Sequence, residues 1–119
     1  MPEPTSASVV LDDPEDRKLV TLARSTRART GSSEGAAVRD LDGRTYAGAR
    51  VDLPSLQLSA VGVCVAMAVA SGSRGLEAVV VLADELTPAD RTLVADFAGS
   101  GVTIHRVDAT GRVGESVAT

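Results

Sequence analysis

Residues 34–72 read EGAAVRDLDGRTYAGARVDLPSLQLSAVGVCVAMAVASG, and two patterns in this segment predict most of the fold. The first is a pair of strands, Glu34–Leu41 and Arg44–Val51, joined by Asp42-Gly43, which is a strong hairpin signal. The second is the apolar run Leu56–Ser71, whose length exceeds that of a normal strand and therefore predicts a helix. Because no side of this helix is charged, we expect it to be buried all round.

The rest of the chain supplies two more helices and three more strands. The acidic cap around Asp13, followed by Pro14, predicts a helix start. The continuous apolar run around Val80 is typical of a central strand in a covered sheet. These elements are predicted at residues 13–29 and 88–98 for the helices, and at residues 76–83, 102–107 and 112–117 for the strands. The resulting order, α-β-β-α-β-α-β-β, indicates an α/β fold with a mixed sheet and helices on its faces.

Composition bounds the domain organisation and excludes several classes of function. We expect residues 1–12 to form a flexible N-terminal segment and residues 13–119 to form one domain. Only 2% of the chain is aromatic, so stacking platforms for single-stranded nucleic acid are excluded. The net charge of -4 gives no basis for binding nucleic acid or an anionic membrane surface. The longest apolar run, Leu56–Ala70, is shorter than the roughly 18 residues of a membrane span, and no signal-peptide pattern is present, so we expect a cytoplasmic protein.

Several short matches connect the chain with a known family. Gly35-Ala36-Ala37, Asp42-Gly43 and Gly48–Asp52 resemble the GAA strand, the DG-type turn and the G-C-N-V-E-like segment of cytidine deaminases. Residues 92–97, TLVADF, resemble the segment that follows the second pair of cysteines in that family. The resemblance covers residues 13–112. It implies a cytidine deaminase-like three-layer α-β-α sandwich with a mixed five-stranded sheet.

The positions that perform the chemistry in that family hold other residues here. Counting on from Asp52 without a gap places Val61-Gly62-Val63 where the family has Cys-Ala-Glu. Zinc deaminases hold the metal with a His or Cys of this motif and with two Cys of a later P-C-x-x-C motif, and the glutamate transfers protons. Valine can do neither, and the later segment keeps Pro88 and Arg91 but has no cysteine. The resemblance therefore implies a member without catalytic residues, zinc or any other cofactor.

Arg50 and Asp52 are the candidates for a remaining nucleoside site. The resemblance places them where the family has the Asn and Glu that bind the sugar hydroxyls. Asp52 can accept a hydrogen bond from a hydroxyl, and it can also cap the helix predicted after it. Residues 31–34 contain no aromatic side chain to contact a base. A ligand site at Arg50 and Asp52 therefore stays a hypothesis beside the capping role.

The remaining titratable candidates have structural explanations. Cys64 has no second cysteine to pair with, and one Cys with one His cannot complete a tetrahedral zinc site, so we expect a small buried apolar side chain. We expect His105, in a late strand, to be a surface or hydrogen-bonded structural residue. Asp84, Glu85 and Asp90 are interpreted as solvated loop carboxylates, with a hard-cation site as the alternative.

Two surfaces are candidates for partner binding. The helix over Leu56–Ser71 predicts a homo-oligomer, a dimer or a tetramer, because one small domain has little material to cover an apolar helix; the resemblance also implies assembly through this region. On this helix we expect a ridge of Leu58, Val61, Val65 and Val69 beside a small-residue stripe of Gly62, Ala66 and Ala70. The basic face of the first helix is either solvated or a docking surface for an acidic partner. That face comprises Arg17, Lys18, Arg24, Arg27 and Arg29.

The leading interpretation is a catalytically inactive cytidine deaminase-like protein that acts as an interaction or regulatory module. The first alternative is a pyrimidine nucleoside deaminase or a related hydrolase. The second alternative is a sensor that binds a nucleoside or nucleotide without turnover. Metal content and deamination activity distinguish the first alternative from the leading interpretation, and ligand binding distinguishes the second.

Overall fold

The computed structural model of the protein describes residues 10–119. Most of the predicted flexible segment, residues 1–9, lies outside the described residues. The helices are α1 (Pro14–Thr30), α2 (Ala60–Ala70) and α3 (Pro88–Ala98). The strands are β1 (Gly35–Asp40), β2 (Thr45–Ala49), β3 (Val51–Leu53), β4 (Leu56–Leu58), β5 (Leu76–Leu82), β6 (Thr103–Val107) and β7 (Val113–Ala118).

Five strands form one mixed sheet in the order β2-β1-β5-β6-β7. β5 and β6 are parallel and are connected through α3, while the other neighbouring pairs are antiparallel. Side chains on successive strand positions point to opposite faces, so the sheet buries two separate apolar clusters. One cluster joins α1 to positions such as Ala37 and Val80, and the other joins α2 and α3 to positions such as Val38 and Val79. The predicted three-layer α-β-α sandwich with a mixed five-stranded sheet is confirmed.

The start of α2 differs from the prediction. The apolar run from Leu56 does not form one helix, because Leu56–Leu58 is the strand β4 and pairs antiparallel with β3. Pro54 and Ser55 turn the chain between these two short strands, as turn residues do. The element order is therefore α-β-β-β-β-α-β-α-β-β, with a small additional hairpin before α2. The hairpin was not predicted because the apolar run from Leu56 continues from β4 into α2, and apolar composition alone does not distinguish a strand from the helix that follows it.

The sides of α2 also differ from the prediction. Its inner side is buried against the sheet and α3, whereas Ala66, Val69 and Ala70 are exposed. The expected ridge is incomplete, because Leu58 lies in β4 and Val69 is 52% exposed. The domain thus covers one side of α2 and leaves an apolar outer side.

Within residues 10–119, no helix has the length and hydropathy needed to cross a membrane.

The ends of α1 follow the predicted capping chemistry. Asp13 caps the helix by accepting a hydrogen bond from the backbone nitrogen of Glu15 at 2.8 Å, and Pro14 occupies the first helical position. Gly31 ends the helix with a φ of 67°, a left-handed conformation that glycine adopts without a steric penalty. The predicted helix start at Asp13 is confirmed.

The β1–β2 hairpin is fastened by a buried carboxylate that the sequence did not indicate. Asp40 is fully buried and accepts hydrogen bonds from the backbone nitrogens of Asp42 and Arg44, both at 2.9 Å, and from the hydroxyls of Ser73 and Tyr46. The hydrogen bond from Ser73, followed by those from the backbone, lowers the pKa of Asp40 despite its burial. A carboxylate with this many donors remains ionised and holds the hairpin to the chain before β5.

Candidate functional site

The start of α2 packs against α3, and Val61 and Val63 lie in this first part of α2. Val61 is fully buried in the α2–α3 cluster, and Leu86 packs against the same cluster. Val63 is half-buried and packs on β2, where a methyl group added to Gly48 would lie 2.7 Å from Val63 Cγ1. Both side chains are hydrocarbon and can neither ligate a metal nor transfer a proton. These residues therefore do not provide the nitrogen, sulfur or oxygen ligands that a catalytic zinc ion requires.

A hydroxyl and a carboxylate connect the N-termini of α2 and α3. Ser59 caps α2, because its Oγ accepts a hydrogen bond from the Gly62 nitrogen at 2.9 Å. The same hydroxyl donates to Asp90 Oδ1 at 2.6 Å. Asp90 lies in the first turn of α3, where Thr87 caps the helix by accepting from the Asp90 nitrogen at 3.1 Å. We call Ser59 and Asp90 the serine–aspartate link.

A second carboxylate approaches the same end of α2. Glu34 Oε1, from the residue before β1, accepts a hydrogen bond from the Ala60 nitrogen at 2.7 Å. Arg50 approaches the same oxygen of this carboxylate, with its Nη1 3.8 Å from Glu34 Oε1. Negative charge is favourable at a helix N-terminus, where free backbone N–H groups and the helix dipole meet it. Glu34 and the serine–aspartate link together satisfy the start of α2 with side chains of the protein itself.

The charge state of Asp90 follows from its surroundings. Burial raises its pKa above the ordinary aspartate value, since its exposed fraction is only 5%. The hydrogen bond from Ser59 opposes this shift, and the nearby negative charge of Glu34 adds to it. A buried carboxyl with a raised pKa can hold a proton, but Oδ1 of Asp90 is already engaged by a hydroxyl donor. Over residues 10–119, no group of three or more His, Cys, Asp and Glu is placed to hold a metal ion.

Of the two predicted ligand residues, Arg50 forms an ion pair with Glu34 beside the start of α2, and Asp52 forms none there. Arg50 reaches the site through Glu34, as described above. Asp52 is exposed on β3 opposite Gln57 and forms no hydrogen bond or ion pair with Glu34, Ser59 or Asp90. The predicted capping role of Asp52 is wrong, because the hairpin separates it from α2 and Ser59 is the cap.

The interpretation of Asp90 as a solvated loop carboxylate is also wrong, although a local signal for its position existed. Thr87 and Asp90 stand three residues apart at the start of a helix, which is the spacing of a capping box. Asp84 and Glu85 are exposed as expected. Glu34 and Ser59 carried no such signal, because their partners lie 26 and 31 residues away along the chain.

The isolated cysteine and histidine are structural residues. Cys64 is fully buried in α2, and burial raises the pKa of its thiol to about 12. The prediction of a small buried apolar side chain is confirmed. The His105 ring lies with its Nδ1 2.7 Å from Ser116 Oγ, on the neighbouring strand. The prediction of a hydrogen-bonded structural histidine is confirmed as well.

The residues of the later motif start α3 and join it to the sheet: Pro88 begins the helix, and Arg91 contacts β7. Pro88 is the first residue of α3, where its missing N–H costs nothing. Arg91 donates from Nη2 to the backbone oxygen of Ala118 in β7 at 2.8 Å. Both residues therefore have a structural role.

Comparison with known proteins identifies the family. The family model described as Cytidine deaminase-like matches residues 12–111. No curated protein sequence matches the chain. Among solved structures, the chain is similar to cytidine deaminases from several bacteria. The match to the Burkholderia pseudomallei enzyme has 20% identity, a TM-score of 0.72, and covers 87% of this chain and 90% of that one.

Two mycobacterial enzymes give comparable matches. The cytidine deaminase from Mycobacterium leprae has 22% identity, a TM-score of 0.69, and coverage of 89% of this chain and 94% of that one. The cytidine deaminase from Mycobacterium tuberculosis has 24% identity, a TM-score of 0.66, and coverage of 77% and 85%. At these identities the likeness establishes the fold alone.

Proposed function

The chain belongs to the cytidine deaminase-like family, and we propose that it is a member without deaminase activity that serves as an interaction or regulatory module. The observation on which this proposal depends is the presence of Val61 and Val63 near the start of α2. Deamination in this family requires a zinc-bound water whose pKa the metal lowers to about 7, and a carboxylate to transfer protons. Hydrocarbon side chains at these two positions supply neither requirement.

The serine–aspartate link supports the proposal independently. A metal site between two helix N-termini would hold them together through its ligands. In this chain Ser59 and Asp90 join α2 to α3, and Glu34 satisfies the backbone of α2. Each interaction is a direct hydrogen bond between groups of the protein. The two helices are thus connected by side chains that do not need a metal.

A deamination assay tests the loss of activity. The protein, supplied with Zn²⁺, is incubated with cytidine and 2′-deoxycytidine, and the release of uridine or deoxyuridine is followed. The cytidine deaminase from Mycobacterium tuberculosis, assayed in parallel, provides the positive control. We expect no turnover above the uncatalysed rate. Zinc-dependent turnover would establish the alternative, a pyrimidine nucleoside deaminase or related hydrolase, which the family membership favours.

The sensor alternative depends on Asp52, which is exposed on β3, and on Arg50, which lies beside Glu34 at the edge of the site. A thermal-shift screen with nucleosides and nucleotides tests whether the protein binds any of them, and the screen is repeated on Arg50→Gln. We expect no nucleoside to raise the melting temperature. A shift that Arg50→Gln abolishes would support the sensor instead.

We also propose that the chain associates with copies of itself through the outer side of α2. Ala66, Val69 and Ala70 form an exposed apolar surface there without any charged side chain. The small side chains of Ala66 and Ala70 allow a second copy to approach closely. Placing a charge in such an interface is costly, so Ala66→Glu is expected to yield a folded monomer.

Light scattering at micromolar concentration gives the test of assembly. Ala89→Glu, at an exposed alanine of α3, is the matched control and should leave the oligomer intact. Circular dichroism verifies that both variants fold. A folded wild-type monomer under these conditions would refute the assembly proposal. It would not bear on the proposed loss of deaminase activity.

A further inference from the structure

A cleft lies on the α1 face of the sheet, away from the start of α2. It has a volume of about 360 Å³, within the range of small-molecule sites. Residues of α1 form one wall, and the chain beyond β5 and β6 forms the other. The lining residues are Thr21, Arg24, Ser25, Arg27, Ala28, Leu82 and Ala109.

A second hollow extends this cleft over the ends of two strands. It has a volume of about 160 Å³ and shares Arg27, Leu82 and Ala109 with the first. Leu82 is the last residue of β5, which runs parallel to β6. In open α/β sheets, ligands bind outside the carboxyl ends of parallel strands. The position of the cleft is therefore one that such folds use for ligands, and it is on the opposite face from the serine–aspartate link.

Two guanidinium groups border the cleft without partners among residues 10–119. Arg24 and Arg27 form no hydrogen bond or ion pair with any of residues 10–119, although the chain carries more acidic than basic side chains. Arg27 Nε is buried and has no acceptor among those residues. Buried polar groups in proteins almost always have a hydrogen-bond partner. Arg27 therefore borders the cleft with hydrogen-bonding capacity that residues 10–119 do not use.

The N-terminal part of the basic face of α1, Arg17 and Lys18, is already engaged. Lys18 pairs with Glu15 at 2.8 Å. Arg17 Nη1 donates to the backbone oxygens of Leu11 and Asp12 at 3.2 and 3.0 Å. The free positive charge of α1 is therefore concentrated at the cleft and near the helix end, not spread along the whole face. This distribution suits a small anion better than an extended acidic surface.

The second hollow combines one further arginine with two carboxylates. Arg106 donates to the backbone oxygen of Ala83 and to Glu115, both at 3.3 Å, which fixes its side chain. Asp84 and Asp108 line the same hollow. Asp108 accepts a hydrogen bond from the Thr110 hydroxyl, which lowers its pKa together with backbone donors, so it remains an anion. Carboxylates repel a phosphate but accept hydrogen bonds from hydroxyl groups.

We propose that this cleft binds a small phosphomonoester that carries hydroxyl groups, of the sugar phosphate class. Its phosphate lies between Arg24 and Arg27, since guanidinium groups bind phosphate oxygens in bidentate geometry. Its hydroxyl groups lie over the strand ends, where Asp84 and Asp108 accept their hydrogen bonds. The site is independent of the proposed loss of deaminase activity.

Titration calorimetry on the full chain tests the proposal, with ribose 5-phosphate as the probe and ribose and sulfate for comparison. Arg24→Gln and Arg27→Gln should each weaken binding of ribose 5-phosphate by about tenfold or more, as loss of a charged hydrogen bond does. Arg29→Gln is the matched control, because it removes the same charge from the same helix outside the cleft lining. We expect it to change the affinity less than threefold.

Two outcomes would overturn the proposal. The first is the absence of saturable binding of ribose 5-phosphate at millimolar concentration. The second is evidence that binding reflects only general charge. This would be the case if Arg29→Gln weakened the binding of ribose 5-phosphate as much as the cleft variants do, or if sulfate bound as tightly as ribose 5-phosphate. Because Arg27 is half-buried, melting curves verify its variant, and the exposed Arg24 provides the second test if Arg27→Gln fails to fold.

Discussion

Replacing Ser59 by alanine removes two hydrogen bonds that meet at one oxygen atom. The first is the cap on the Gly62 nitrogen, and loss of a serine cap costs about 1 kcal/mol. The second is the 2.6 Å bond to the carboxyl of Asp90, and a hydrogen bond to a charged group contributes about 1.5–3 kcal/mol. The expected loss is therefore about 3 kcal/mol, a large part of the roughly 5–15 kcal/mol by which domains are stable. The melting temperature should fall by on the order of 10 °C.

The loss should depend on pH, because Asp90 has a raised pKa. A carboxyl whose pKa is higher in the folded state binds more protons there than in the unfolded chain. The free energy of unfolding then decreases as the pH rises from the ordinary aspartate value through the raised one. Since the Ser59 hydrogen bond lowers this pKa, its removal raises the pKa further. Ser59→Ala should consequently be more destabilising at pH 7 than at pH 3.8, the ordinary aspartate pKa.

Urea denaturation followed by circular dichroism at both pH values gives the measurement. Ser71→Ala is the matched control, because it makes the same change at the other, exposed end of α2. Asp90→Asn keeps an acceptor for Ser59 and removes the buried charge, so in an Asp90→Asn background the destabilisation caused by Ser59→Ala should no longer depend on pH. A loss below about 1 kcal/mol in Ser59→Ala, the same at both pH values, would refute the proposed role of the serine–aspartate link.

Three further outcomes are expected. Gly48→Ala should destabilise the protein by about 1–3 kcal/mol in urea denaturation, because its methyl group would lie 2.7 Å from Val63 Cγ1. Val63→Ala should rescue it in part, since Val63 Cβ remains 3.0 Å from that methyl group, and no rescue at all would contradict this packing. Asp40→Asn should lower the melting temperature more at pH 7 than at pH 3, since a carboxylate with a lowered pKa stabilises the fold above its ordinary pKa and loses that effect as the pH falls. Cys64 should react with a thiol reagent only in denaturant, because burial raises its pKa to about 12; rapid reaction of the native protein would contradict its burial.

Local patterns were sufficient to predict the sheet and most of its helices. The apolar run of β5, the Asp42-Gly43 turn and the cap at Asp13 each depend on neighbouring residues, so their signals are visible in the sequence. The start of α2 was missed because the strand β4 and the helix are both apolar. Hydropathy then extends over both, and only the turn at Pro54 separates them.

The polar part of the candidate site was hidden for a different reason. Ser59 and Asp90 are 31 residues apart, and no periodic pattern connects them. Their contact arises because the sheet brings the N-termini of α2 and α3 together. By contrast, the two valines were visible at once, because a family resemblance aligns Val61 and Val63 with residues of different chemistry. The sequence therefore indicated what the site lacks, and the structure was needed to find what takes its place.

Zinc content per chain is the measurement that tests the absence of a metal site most directly. Protein purified without chelator is analysed by elemental mass spectrometry, and its melting temperature is compared before and after treatment with EDTA. We expect a zinc content far below one per chain and no change in melting temperature, because side chains join α2 to α3 by direct hydrogen bonds. One zinc ion per chain whose removal lowers the melting temperature, as it does in proteins with structural zinc, would contradict this account.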